Sequence, residues 1–132
     1  MEFHDQDWSF EYCYQNTNIW DSARAFDRNM YQKGQRQCLS FGYSKRLEIG
    51  HGGAILLDDQ SEYYALRKMA YDGRDLNIKP WQNQTQWHVG YHYNMRLEDA
   101  AKGIRMLEFE DLKPMHSQKV IYPDISKLKI EA

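Results

Sequence analysis

Ser40-Phe41-Gly42-Tyr43-Ser44-Lys45 and, a little further on, Ile49-Gly50-His51-Gly52-Gly53-Ala54-Ile55-Leu56-Leu57-Asp58-Asp59 form the stretch whose reading decides the fold. A serine stands five residues before a lysine. Gly50, Gly52 and Gly53 make a flexible turn, because glycine takes positive φ without steric cost. Ala54 to Leu57 is uniformly apolar, the pattern of a strand in a sheet covered on both faces. Asp59 then opens a helix, and Glu62 three positions on makes a capping box. Leu66, Met69 and Ala70 supply its apolar face, and Gly73 stops it.

Outward from this stretch the chain alternates in the same way. Upstream, Trp8, Phe10, Tyr12 and Tyr14 fall at every second position, as in a strand. Asn16-Thr17-Asn18 is turn chemistry, and Ile19-Trp20 leads into Asp21 as the end of a short strand. Ala23 to Tyr31 reads as a loop or a single helical turn, Lys33-Gly34-Gln35 as a turn, and Cys38 to Phe41 as a short buried strand. Downstream, residues 74–89 are polar, hold Pro80, Trp81 and Trp87, and read as an exposed loop. A second helix is expected from about Leu97 to about Phe109. Leu97, Ala100, Ala101, Ile104 and Leu107 repeat at three and four, which predicts one buried stripe. Glu98 and Asp99 lie in its first turn, where the helix dipole favours them. Pro114 ends that region, and a short apolar piece, Val120-Ile121-Tyr122, precedes Pro123. The mixture of strands and helices places the chain in the α/β class.

Bulk properties exclude several functions. With 132 residues, one domain is expected. The net charge is -2, and the Lys and Arg residues are scattered rather than clustered, so nothing recruits nucleic acid. No run of about 18 apolar residues exists, so no transmembrane helix or membrane partner is expected. The polar start, Met1-Glu2-Phe3-His4-Asp5, is not a secretory signal. Cys13 and Cys38 show neither CxxC spacing nor a disulfide framework, which points to a reducing compartment, the cytoplasm. Ten Tyr and four Trp are a surplus that fits an interface or an aromatic-rich core equally well. His51, His88 and His92 lack the spacing of a zinc site, and the glycine turn lacks the GxxxxGK pattern of a phosphate loop.

The order of the segments carries more. Trp20-Asp21-Ser22-Ala23-Arg24-Ala25-Phe26, then Ser40 to Lys45, then Gly52-Gly53-Ala54-Ile55-Leu56, then Gly90-Tyr91-His92-Tyr93-Asn94-Met95, with Ala100-Ala101 and Gly103 after it, follow one another. Together these segments resemble the DegT/DnrJ/EryC1/StrS family of PLP-dependent sugar aminotransferases, from about Ile19 to Leu112. The resemblance implies a fold type I aminotransferase large domain, of which this chain would hold an incomplete segment with a short mixed sheet and two main helices. It implies that Lys45 is the catalytic lysine, forming a Schiff base with pyridoxal 5'-phosphate (PLP) and moving the proton between carbons. It implies that Asp21 pairs with the pyridine nitrogen, that Arg24 lies beside the ring, and that Ser40 and Asn94 hold the phosphate, Asn94 across a subunit interface. Taken singly, these residues read more plainly. Asp21 is then a turn residue, Lys45 a solvated lysine, Ser40 a hydroxyl bonded to backbone, and Asn94 a helix N-cap.

The chain departs from the family's pattern in ways that shape the expectation. Arg24 stands where the family usually has Gln, His51 where it commonly has Glu, and the spacing from Asp21 to Lys45 is short. The phosphate-binding loop at a helix N-terminus and the ring that stacks on PLP have no counterpart before Asp21. The expected organisation is therefore an aromatic-rich extension over 1–18, an aminotransferase-like segment over 19–112 and a tail over 113–132. Two functions stay open. One is part of a nucleotide-sugar transaminase, using glutamate and a nucleotide-linked keto sugar, completed by a second copy or a separate chain. The other is a non-catalytic structural or interaction protein of aminotransferase descent that binds no PLP.

Overall fold

The computed structural model describes residues 11–114. The alternation at Trp8 and Phe10, the apolar piece Val120 to Tyr122 and most of the tail lie outside the described residues. A four-stranded mixed sheet, β1 (Tyr12–Cys13), β2 (Ile19–Asp21), β3 (Arg36–Ser40) and β4 (Gly53–Leu56), runs in the order β1-β2-β3-β4. Two helices follow, α1 (Gln60–Ala70) and α2 (Leu97–Glu108), with a single 3-10 turn at Trp81–Asn83 between them. This is an α/β arrangement.

β2 and β3 pair in parallel, and both flanking pairings are antiparallel. Parallel neighbours need a long crossover. Here residues 22–35 supply it as a loop without the helical turn that Ala23 to Tyr31 allowed. Asn29 and Gly34 explain this, since both hold positive φ and break any helical run. β3 starts at Arg36, before the expected Cys38, because the ladder with β2 reaches back to the Ile19–Arg36 pair.

β3 is the buried centre. Gln37 and Leu39 face inward while Arg36, Cys38 and Ser40 are half covered, so the strand alternates with period two. Gln37 is wholly buried and is satisfied from several sides: its Oε1 accepts from the Gln32 amide at 3.2 Å, and its Nε2 donates to Glu11 at 3.4 Å. Glu11 also accepts from the wholly buried Ser22 hydroxyl at 2.9 Å. A polar network thus joins the approach to β1, the end of β2 and the middle of β3, a feature invisible in the apolar pattern.

β4 corrects one expectation. It alternates between exposed and half-buried residues and leaves Ile55 47% exposed, so it is covered on one face only. As an edge strand beside β3 it lacks a further neighbour among the described residues. Its start requires glycine, because a Cβ on Gly53 would run into the Leu39 carbonyl.

The helices begin where the sequence places them. Asp59 caps α1, its Oδ1 accepting the Glu62 amide at 2.8 Å. The reciprocal half of the capping box is absent, since the Glu62 carboxylate pairs with Arg36 instead. α1 gives way through Asp72 and Gly73, both at positive φ, and the Gly73 amide returns to the Lys68 carbonyl at 2.9 Å. The loop that follows is ordered by Gln84, which is buried, accepts from the Asp75 amide at 2.8 Å and donates to the Gly73 carbonyl at 3.3 Å.

α2 gives the largest correction. Most of its predicted stripe is exposed: Leu97 by 84%, with Ala101, Ile104, Leu107 and the following Phe109 also open, while Ala100 is half buried. The inward face is Asp99, Gly103 and Met106, at i, i+4 and i+7. Among the described residues no helix is long and apolar enough to cross a membrane.

Candidate functional site

The loop that carries Lys45 is closed at its base. Gly42 and Gly50 form a bridge, and the amides of Ile49 and Gly50 both donate to the Phe41 carbonyl, at 3.0 and 2.9 Å. Leu47 and Ile49 turn inward from the loop and are 2% and 6% exposed. With Leu39 they are the fully buried apolar side chains among the described residues. The loop is therefore anchored in the core just after Lys45, while Tyr43 before it is 80% exposed. The Phe26 ring meets Phe41 edge-on at 6.2 Å and ties the crossover after β2 to the base of this loop.

Lys45 is half buried, and its backbone amide donates to the Gly42 carbonyl at 3.2 Å. Among the described residues its ammonium makes no ion pair. The next residue, Arg46, faces Asp27 at 3.0 Å and donates to the Phe26 carbonyl at 3.3 Å. The Arg28 backbone amide, and then Arg46, hold the Asp27 carboxyl below its ordinary value.

Asp21 ends β2, and its Oδ1 accepts the Ala23 amide at 3.0 Å, which fixes the carboxylate at the strand exit. It lies against the Tyr12 phenol. That phenol titrates well above the usual tyrosine value, first through its hydrogen bond to Tyr14, then through burial, then through the Asp21 charge. Cys38 is the register partner of Asp21 on β3, and burial and then the Asp21 charge raise its thiol. Ser40 lies about 7 Å further along β3. Its Oγ accepts the Gly42 amide at 3.4 Å, which leaves its own hydrogen to donate. Arg24 is half buried on the loop leaving β2.

Asp21, Ser40 and Lys45 therefore issue from the carboxyl ends of the two parallel strands, the end at which open α/β sheets bind ligands. Asn94 comes from elsewhere in the chain. It precedes α2, whose N-cap is Arg96 and has no side-chain cap, so the plain reading of Asn94 as N-cap does not hold. Its neighbour Met95 abuts Gly52, where an added Cβ would meet the Met95 Cε at 2.7 Å. Three further contacts seat α2 on the glycine turn. Asp99 faces His51 at 3.0 Å, Lys102 donates to the Ile49 carbonyl at 3.0 Å, and Gly103 lies against Ile49. Asn94 is thus carried to the neighbourhood of the same turn.

The family model of the DegT/DnrJ/EryC1/StrS aminotransferases matches residues 18–121. The chain belongs to that family. No curated protein and no solved structure gives a match. The match runs past Leu112, where the quoted motifs end. DegT/DnrJ/EryC1/StrS proteins are generally PLP-dependent, and the residue types here are of a kind that could hold such a group: a fixed carboxylate, a hydroxyl, an amine outside any ion pair among the described residues, and an amide. A small cavity of about 10 Å³, lined in part by Lys68, Arg74 and Asp75, shares no residue with this set and has room for about one water. Among the described residues no group of three or more His, Cys, Asp or Glu side chains is placed to hold a metal ion.

Sequence reading missed Glu48. Its Oε2 accepts the Ser44 amide at 2.7 Å and pairs with Lys113. The signal was a carboxylate four residues after a serine, between two residues that prove to be core.

Proposed function

We propose that this family member carries the lysine side of a PLP site in a nucleotide-sugar transaminase. In this reading the sheet is a segment of a fold type I large domain. Another chain or a second copy supplies the phosphate-binding loop and the stacking ring. The reading is supported by the positions of Asp21 and Ser40 at the carboxyl ends of the parallel strands β2 and β3, with Lys45 in the loop that follows β3, inside the family match.

PLP supplies an aldehyde that an amine can capture and a ring that accepts electrons. Asp21, fixed by the Ala23 amide, would favour a protonated ring nitrogen through its negative charge. Lys45 would be the amine that holds the cofactor through its aldehyde carbon and the group that moves a proton. None of the described carboxylates forms an ion pair with it. Ser40 would donate its hydroxyl hydrogen to the phosphate, and Asn94 would reach it from a second copy. Arg24 would be placed on the ring side. The substrates are glutamate and a keto sugar linked to a nucleotide.

The test is covalent trapping. The chain, purified in its native assembly, is treated with PLP and borohydride and mapped by mass spectrometry. A phosphopyridoxyl group on Lys45, absent from Lys45→Ala, is the expected result. No label in the assembly overturns the reading. The exposed α2 stripe favours a second reading, a non-catalytic interaction module. It predicts the same assembly for Lys45→Ala and for the native chain, with neither taking label.

A further inference from the structure

Ser44 sits at φ 66, a left-handed conformation that side-chain-bearing residues adopt only when something holds them there. Glu48 does so. Its Oε2 accepts the Ser44 amide at 2.7 Å, and the same oxygen pairs with the Lys113 ammonium. The Lys113 backbone amide donates to the Arg46 carbonyl at 2.9 Å. Lys113 thus grips the turn through both side chain and backbone, although it belongs to the segment beyond α2. Glu48 is itself fixed, since the flanking Leu47 and Ile49 are buried and its side chain is only 24% exposed.

We propose that Glu48 is a positioning residue, latched by Lys113, that sets the left-handed turn presenting the Lys45 amine. The presentation of Lys45 is thereby coupled to the docking of the segment after α2. This deepens the proposed function and rests on Lys45 being its reactive amine. Lys113 first, then the Ser44 amide, hold the Glu48 carboxyl below the usual range, so the latch is charged at neutral pH. The Arg28–Glu110 pair, at 2.6 Å, ties the crossover loop to the segment after α2 but is about two-thirds exposed at both partners, where ion pairs contribute little.

The test needs no cofactor. Amide exchange at Ser44 and the acylation rate of Lys45 by a small amine reagent read the turn directly. Lys68, held by Asp75 at 3.2 Å on α1, is the internal reference. Glu48→Ala should speed Ser44 exchange and Lys45 acylation about tenfold with Lys68 unchanged. Glu48→Gln retains an acceptor for the Ser44 amide and should fall between. Lys113→Met, a change at a half-exposed position that leaves the core intact, should give a rise of about threefold. Ser44→Gly in the Glu48→Ala background should restore slow acylation, because glycine takes positive φ freely. Native rates at Ser44 and Lys45 in both Glu48→Ala and Lys113→Met overturn the proposal, as does a rise that Lys68 shares in both. A failed PLP trap beside a passed exchange test overturns the chemistry and leaves the latch.

Discussion

Gly73 and Gly90 cross so closely that neither tolerates a side chain. A Cβ on Gly73 would run into the His88 carbonyl, and one on Gly90 into the Gly73 amide. Gly73 also holds φ 75. Gly73→Ala should therefore lower stability by about 2 kcal/mol or more, combining left-handed strain with a backbone clash that cannot relax. Denaturant unfolding measures it, and an unchanged midpoint would contradict the crossing. Gly103 behaves differently. Its added Cβ meets only the flexible end of Ile49, at 2.6 Å. Gly103→Ala should be near neutral, because a gain of about 1 kcal/mol in helix propensity offsets the displacement. Gly103→Leu should cost about 1–3 kcal/mol by prising α2 off the turn. The sequence marks Gly73 as a helix stop but gives no hint of its partner, since close approach depends on what crosses it. Lys45 and Ser40 are legible as a motif. Glu48 is not, because its role depends on Lys113, which nothing in the spacing links to the turn.

At the scale of elements, α2 separates what periodicity can tell from what it cannot. The spacing of Leu97, Ile104 and Leu107 correctly gives a helix and a shared face. It says nothing of what covers that face, and the helix docks instead through Asp99, Lys102 and Gly103. Ile104→Ala and Leu107→Ala should each change the stability of the isolated chain by less than about 0.5 kcal/mol, as at other exposed positions. A buried stripe would instead lose about 2–5 kcal/mol per residue, so thermal unfolding separates the two. β4 teaches the same lesson. Its unbroken apolar run reads as two-sided burial, yet as an edge strand it is covered on one side. The parallel pairing of β2 and β3, which sets Asp21 and Ser40 at the same end of the sheet, is long-range and leaves no local trace in sequence.

Across the described residues, several carboxylates are held by hydrogen bonds and ion pairs. Glu48, Asp27, Asp59 and Asp75 all titrate below their ordinary values. The leading causes are Lys113 for Glu48, the Arg28 amide for Asp27, the Ser61 hydroxyl for Asp59 and the Asn77 amide for Asp75. At these carboxyl groups the folded chain therefore binds protons less readily than the unfolded one. The stability these groups contribute is fully present above the ordinary values, 4.5 for Glu48 and 3.8 for the aspartates, and is lost as pH falls through the lower folded values. Unfolding midpoints should drop below about pH 4.5, and Glu48→Gln should flatten the upper part of that fall. A midpoint independent of pH there would contradict the ion-pair geometry. The central claim concerns Lys45, and its most direct measurement is borohydride trapping of PLP in the native assembly, followed by peptide mapping. The account predicts a phosphopyridoxyl group on Lys45 and none in Lys45→Ala. An assembly that takes no label, or takes it on another lysine, would contradict it.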